Sequence, residues 1–298
     1  MTISRRAGRN SLFDRISYIL SSLRRSIVGV VGVAIVSLVI LMAVIGPFLS
    51  PFDPGKPNLR NRFKPPGYST KVGTHWLGTD QMGRDIFSRI ILGSRITVFI
   101  GLFAALIGST VGTVYGMVSG FSGGRLDAVM MRVADGFLAI PFIVLVVAIS
   151  GVVGPGLLTL ILILGLTGWV SYARIARAQV LVIRNMEYMI AARVIGQRTS
   201  SIMFRHVLPN IMPVIIVLAA VEVGAVILAE SSLSFLGLGV QPPTVTWGLM
   251  LADGRQYLSS AWWMTTFPGI AISITVLGLV FMGDWLRDVL DPRMRGVD

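Results

Sequence analysis

The chain has 298 residues, of which 54% are hydrophobic and 13% charged, with a mean hydropathy of +0.77. Soluble domains carry roughly 25% charged residues, and one of this size could not bury so much apolar surface, so a bilayer is the solvent this composition demands. The lack of cysteine excludes disulfides and thiolate metal sites. The net charge of +12 sits in loops between apolar runs, not on a soluble face with interleaved aromatics, which excludes nucleic acid as a partner.

A helix needs about 20 apolar residues to cross roughly 30 Å of hydrocarbon, and six such spans are predicted. Residues 1–25 form a cytoplasmic segment in which Leu12, Ile16, Ile19, Leu20 and Leu23 recur at helical spacing among Asp14, Arg15 and serines, as in a helix lying on a membrane surface. The first span is the charge-free run 26–52, too long for a signal-peptide core and without a clean small-residue cleavage site, hence a retained anchor. Residues 53–95 follow as an external loop. The membrane core is expected over 96–286 and opens with a second span from Ile96 to about Gly120. There Gly108, Gly112, Gly116 and Gly120 recur every fourth residue, a groove that lets another helix backbone approach. The third and fourth spans share the charge-free stretch 136–173 and turn at Gly154-Pro155-Gly156. A cytoplasmic loop over 174–209 leads to a fifth span, from Ile211 to about Ala229, and then to an external loop over 230–261. The sixth span lies within 256–283, with Trp262 and Trp263 as interfacial anchors, and residues 287–298 form a cytoplasmic tail.

Six spans put both termini on one side. Arg5, Arg6, Arg9, Arg15, Arg24 and Arg25 face a single acid, Asp14, which places the amino terminus in the cytoplasm. Arg174, Arg177, Arg184, Arg193, Arg198 and Arg205 place the 174–209 loop there too, as the parity requires. The external loop runs against this rule, since it holds Lys56, Arg60, Arg62, Lys64, Lys71, Arg84, Arg89 and Arg95. Parity and the two arginine clusters outweigh it.

The polar segment 188–210 has a pattern of its own. Tyr188, Ala191, Ala192 and Ile195 fall at i, i+3, i+4 and i+7, giving a short helix one small apolar face. Gly196 stands where a left-handed cap would end it. A second short helix is predicted from about Ser200 to Leu208, stopped by Pro209. Such a helix–glycine–helix elbow is the shape of a docking part. No catalytic constellation accompanies it. His75 and His206 lie in loops on opposite predicted sides and cannot share a metal, and no G-x-x-x-x-G-K-[ST] phosphate loop is present, so energy from ATP must come through a partner. Glu222 falls eleven residues into the fifth span, about 16 Å along its axis and close to the bilayer middle. A carboxylate there marks either a functional site, able to attract a cationic group such as a peptide amine, or a structural bond to a neighbouring helix or subunit. Glu230, at the outer end of the same span, is a second candidate for the path, or else an interfacial residue satisfied by water.

Four segments carry a resemblance to the binding-protein-dependent ABC transporter permeases of the dipeptide, oligopeptide and nickel group. Residues 77–89, Leu-Gly-Thr-Asp-Gln-Met-Gly-Arg-Asp-Ile-Phe-Ser-Arg, resemble the motif after the first span of the C-type subunit. Residues 188–210 resemble the cytoplasmic EAA loop, including Ala191, Ala192, Gly196 and the closing Leu208-Pro209-Asn210. Residues 230–248 resemble the external segment after the fifth span, and 283–293 the carboxyl-terminal signature. Ile190 stands where the loop usually carries its glutamate, with Glu187 three residues earlier, and Val280 where an asparagine is often found.

The resemblance implies an all-α membrane protein with the type I ABC importer permease fold, resident in the bacterial inner membrane. It implies a second homologous permease, two ABC ATPase subunits that bind ATP and Mg, and an extracytoplasmic substrate-binding protein as partners. It further implies that Glu187, Tyr188, Ala191, Ala192, Ile195 and Gly196 form an ATPase-coupling helix, and that the chain is non-catalytic, with no cofactor of its own. Dipeptides or oligopeptides are the expected substrates; nickel chelates, glutathione and oligosaccharides are handled by similar permeases. An ion-coupled secondary transporter is the rival class, although no internal repeat of the kind such proteins show is visible; a membrane assembly protein is a third reading.

Overall fold

The computed structural model describes residues 21–154 and 156–290. The surface helix expected around Leu12, Ile16, Ile19 and Leu20, the arginines at 5, 6, 9 and 15, Pro155 of the predicted turn, and the tail beyond Leu290 lie outside these residues.

The first span, α1, covers Ile27–Leu49, and Ser26 caps it by accepting a bond from the Gly29 N–H at 3.0 Å. The second, α2, covers Ile86–Ser122 and begins ten residues before the predicted Ile96. Its start is set by Asp85, whose carboxylate accepts from the Ser88 N–H at 2.8 Å in the manner of an N-cap. Arg89 and Arg95 therefore stand in a helix and not in the external loop. At 1.5 Å per residue α2 is roughly 55 Å long, so its ends project well beyond the hydrocarbon. Between α1 and α2 the chain folds into a small cap with one two-stranded ribbon, β1 (Tyr68–Ser69) against β2 (Thr74–His75).

The third span departs from expectation. It is a pair of helices, α3 (Gly124–Leu138) and α4 (Phe142–Val153), bent by 84°. The break falls at Pro141, which has no N–H to donate and disfavours helix at Ile140 before it. Five helices are long and apolar enough to cross a bilayer, or six if the bent pair is one span. The fourth span, α5 (Leu157–Ile183), continues ten residues past Ala173, so Arg174 and Arg177 belong to a helix as well.

A short α6 (Glu187–Val194) follows, then α7 (Thr199–Ile202), a π-helical turn (Met203–Val207) and α8 (Leu208–Phe235). Pro209 does not stop the helix as predicted. It sits in the first turn of α8, where its missing N–H costs no intrahelical bond, and the wide π turn before it accommodates the ring. Last come α9 (Trp247–Gly254) and α10 (Trp263–Leu290). Trp263 is buried and its Nε1 donates to the Thr79 carbonyl at 3.1 Å, so it fastens the cap to α10 and is not an interfacial anchor; Trp262 remains half exposed.

Small residues set the helix packing. A methyl group on Gly108, Gly112, Gly116 or Gly120 would meet the carbonyl of Gly165, Trp169, Ala173 or Arg177 in turn. Four glycines of α2 thus ride on four successive turns of α5. The same device joins α1 to α10, where Gly29 lies against Trp285, Gly32 against Phe281 and Met282, and Gly278 against Ile35.

Candidate coupling and translocation sites

The elbow after α5 is built as a Schellman cap. The Gln197 N–H bonds the Ala192 carbonyl at 3.1 Å and the Gly196 N–H bonds the Arg193 carbonyl at 3.0 Å, with Gly196 left-handed at φ 78°. A side chain on Gly196 would meet nothing within 4 Å, so the position needs glycine for its backbone and not for space. The predicted apolar face proves to be two faces. Ala192 is buried and turns inward with Met189, packing against Ile202, Val207 and Ile211. Tyr188, Ala191 and Ile195 turn outward, joined by Ile190 and Val194. Val194 and Ile195 are each 80% exposed, an unusual state for adjacent aliphatic residues beside a polar loop. Glu187 opens the helix from its exposed first turn, where a carboxylate complements the helix dipole.

Four contacts that sequence reasoning missed hold this elbow and the helices beside it. Arg193 stacks its guanidinium over the Phe121 ring at 4.9 Å. His206 Nε2 and Gln197 Oε1 lie 3.2 Å apart across the turn. Arg177 grips Asp127 with two bonds of 2.6 Å, tying α5 to α3, and Arg184 donates to the Gly120 carbonyl at 2.9 Å. Arg177, Arg184 and Arg193 are therefore structural ties. Met189 could have been found from its spacing to Ala192, three residues on.

At the other end, the 77–89 motif is a folded latch. Asp80 accepts from the Met82 and Arg84 N–H groups at 2.8 and 2.9 Å, from Arg84 Nε at 2.7 Å, and from Arg89. Arg89 also reaches Asp253 of α9 at 3.5 Å, and Trp247 of α9 donates its Nε1 to the Ile90 carbonyl at 2.9 Å. Two of the eight basic residues that run against the orientation rule are thus paired inside the fold. His75 is buried against Phe52, ring centroids 4.2 Å apart, with Nδ1 2.9 Å from Asp85.

The two span carboxylates separate. Glu222 is partly exposed and faces α5, where a methyl on Gly168 would stand 3.0 Å from its Oε1. Tyr172 of α5 lies within its electrostatic reach, and the buried Tyr172 hydroxyl has no hydrogen-bond partner among the described residues. Glu230 is fully buried, so water does not satisfy it as it would an interfacial group. Its Oε1 accepts from Ser234 at 2.8 Å and from Thr246 at 2.9 Å. A buried carboxylate held by hydroxyls from two segments fixes the turn between α8 and α9.

This geometry, with spanning helices, a glycine-capped elbow on one rim and a latched cap on the other, defines a multi-pass membrane transport permease. The chain belongs to the family described as binding-protein-dependent transport system inner membrane component, whose profile matches residues 112–296; residues 16–66 match the N-terminal transmembrane domain of oligopeptide transport permease C. It is a non-catalytic permease subunit of such an importer. Among similar proteins, the dipeptide transport system permease protein DppC of Bacillus subtilis (strain 168) is 43% identical over 274 residues, 92% of this chain and 84% of that one. The oligopeptide transport system permease protein OppC of the same strain is 43% identical, covering 91% and 88%. The probable D,D-dipeptide transport system permease protein DdpC of Escherichia coli (strain K12) is 39% identical, covering 92% and 90%. In fold, the chain is similar to one from inward-facing structures of the MetNI methionine ABC transporter, with TM-score 0.58 and 18% identity, covering 69% of this chain and 98% of that one.

Proposed function

We propose that this permease pairs with a second, homologous one to form the pore of a type I ABC importer in the bacterial inner membrane, with both termini cytoplasmic, and that its cargo is dipeptides or oligopeptides. The cargo follows from the names carried by its relatives. An extracytoplasmic binding protein delivers it, and two cytoplasmic ATPase subunits bind ATP and Mg. The observation that carries the coupling role is α6: Tyr188, Ala191, Val194 and Ile195 stand exposed on a helix whose inner face, Met189 and Ala192, is locked to the bundle. A cleft of one ATPase covers the outer face. When the ATPases close, the inner face transmits the tilt through Ile202 and Val207 to α8, and the pore changes its open side.

Gly196→Asp tests this role. Aspartate tolerates the left-handed backbone better than most residues, so the variant inserts and folds, while its charge beside Ile195 weakens docking. Transport and substrate-stimulated ATP hydrolysis fall together. Normal stimulated hydrolysis in that variant would remove the elbow from the mechanism. Glu222, on the face of α8 toward Gly168 and Tyr172, attracts the amino group of the passing peptide. Glu222→Gln lowers the uptake of free-amine peptides relative to N-acetylated ones; identical rates and selectivity in the two forms would sink that assignment.

A further inference from the structure

A cavity of about 580 Å³ opens on the outer surface of this chain between α1, α2, α8 and α10. Its floor is buried and apolar, formed by Val39, Ala43, Ala105, Ile227 and Leu279. Its lips are exposed and equally apolar, among them Val44, Leu102 and Leu106. The two lining hydroxyls are spoken for: Ser109 donates to the Leu106 carbonyl at 3.0 Å and Thr275 to the Ala271 carbonyl at 2.7 Å. One lining residue breaks the pattern. Arg95 is charged, exposed, and without an ion-pair or hydrogen-bond partner among the described residues.

The dimensions restrict the occupant. Along α2 the lining runs from Arg95 to Ser109, fourteen residues or about 21 Å, and α1 and α8 each flank it over eight residues, about 12 Å. One leaflet supplies about 15 Å of hydrocarbon, so the enclosed part is one leaflet deep. The lining is apolar along its length and carries one charge, at the Arg95 end, a pattern that matches an apolar chain with an anionic head. A slim apolar chain fits. An anion fits at the Arg95 end only, because no other lining group can pair with one.

We propose that this groove binds the acyl chain of an anionic phospholipid whose phosphate pairs with Arg95. Arg95 lies at the end of the groove nearest the 53–85 cap, since α2 starts at Ile86 and Gly46 of α1 touches Ile91 there. The lipid belongs to the outer leaflet under the topology proposed above; the site itself does not rest on that assignment. A lipid wedged between α1 and the α2–α8–α10 core joins the first span to the rest of the bundle.

The assembled transporter, purified in mild detergent, is exposed to a photoactivatable phosphatidylglycerol and to the same probe with a choline headgroup. The phosphatidylglycerol probe is expected to label peptides containing residues 39–44 and 98–109 several-fold more than the choline probe. Arg95→Gln lowers that labelling about fivefold, the contribution of one basic group at a membrane surface, and Arg95→Lys retains most of it. Leu102→Trp, at an exposed lip where folding is undisturbed, obstructs the groove and lowers labelling by both probes. Equal labelling by the two headgroups with no response to Arg95→Gln would overturn the site, as would a cross-link from Leu102→Cys to the second permease subunit. Peptide uptake is assayed separately, so failed uptake with intact labelling counts against the import reading and leaves the lipid site standing.

Discussion

Gly112→Ala is a one-carbon test of how α2 and α5 are held together. The added methyl collides with the Trp169 carbonyl and comes within 2.6 Å of Tyr172 Cβ. Neither neighbour is the free end of a flexible side chain, so the two helices must separate. Overpacking of this kind costs about 1–3 kcal/mol. Alanine over glycine inside a helix returns about 1 kcal/mol, leaving a net loss of up to roughly 2 kcal/mol from these two terms, near the upper end here because both clashes are with backbone or Cβ atoms. Gly136, in α3, is the control, because a methyl there meets nothing within 4 Å; Gly136→Ala should stabilise by roughly 0.5–1 kcal/mol. Gly108→Ala falls between, its methyl standing 3.0 Å from the Gly165 carbonyl. Thermal unfolding of the detergent-solubilised chain should rank the midpoints Gly136→Ala above wild type, and Gly112→Ala at the bottom, lower than wild type by a few degrees. If Gly112→Ala were as stable as Gly136→Ala, the close approach of α2 and α5 would be wrong, and with it the register of Gly108, Gly112, Gly116 and Gly120.

Other predictions follow from the polar ties. Arg89→Ala removes one of the two guanidinium partners of the buried Asp80, which keeps Arg84 and two backbone N–H groups, and should cost about 1.5–3 kcal/mol, read as a lowered unfolding midpoint; a wild-type midpoint would show that the latch bears no stability. Trp263→Phe keeps the packing of the ring but loses the bond to the Thr79 carbonyl, an effect of about 1 kcal/mol, and thermal unfolding decides it. For Asp127 and Arg177, the double-mutant cycle of the two alanine variants should give a coupling of about 1–2 kcal/mol, limited because Arg177 keeps part of its exposure; purely additive effects would deny the tie between α3 and α5.

Much of the architecture was legible along the chain. Long charge-free runs have to find a bilayer, whatever their neighbours, so five spans show at once with only their ends shifted, while the bent pair α3–α4 in place of the third span does not. Those ends moved because capping is local but competes with charge: Asp85 starts α2 ahead of Arg89 and Arg95, two residues that hydropathy alone assigns to a loop. The four-residue repeat of Gly108, Gly112, Gly116 and Gly120 announced a groove, and Gly196 announced a left-handed turn, because both signals reside in a residue that lacks Cβ. The family resemblance was carried in the same way, by short motifs in order.

What periodicity could not supply was the partner of each face. Tyr188, Ala191, Ala192 and Ile195 look alike on a helical wheel, and only the packing of α6 against Val207 and Ile211 turns Ala192 inward and leaves the other three outside. Glu230 looks interfacial by position, yet hydroxyls from Ser234 and Thr246 close around it. Asp253 and Arg89, distant in sequence, meet because α9 folds back onto the start of α2. The amino-acid order alone determined which segments are long and apolar enough to cross a bilayer and where the backbone turns at Gly196, since these depend on local solvation and local sterics. Which carboxylate is buried, which apolar face stays free and where a groove opens were decided only when distant segments met, because burial belongs to the pair in contact and not to either residue.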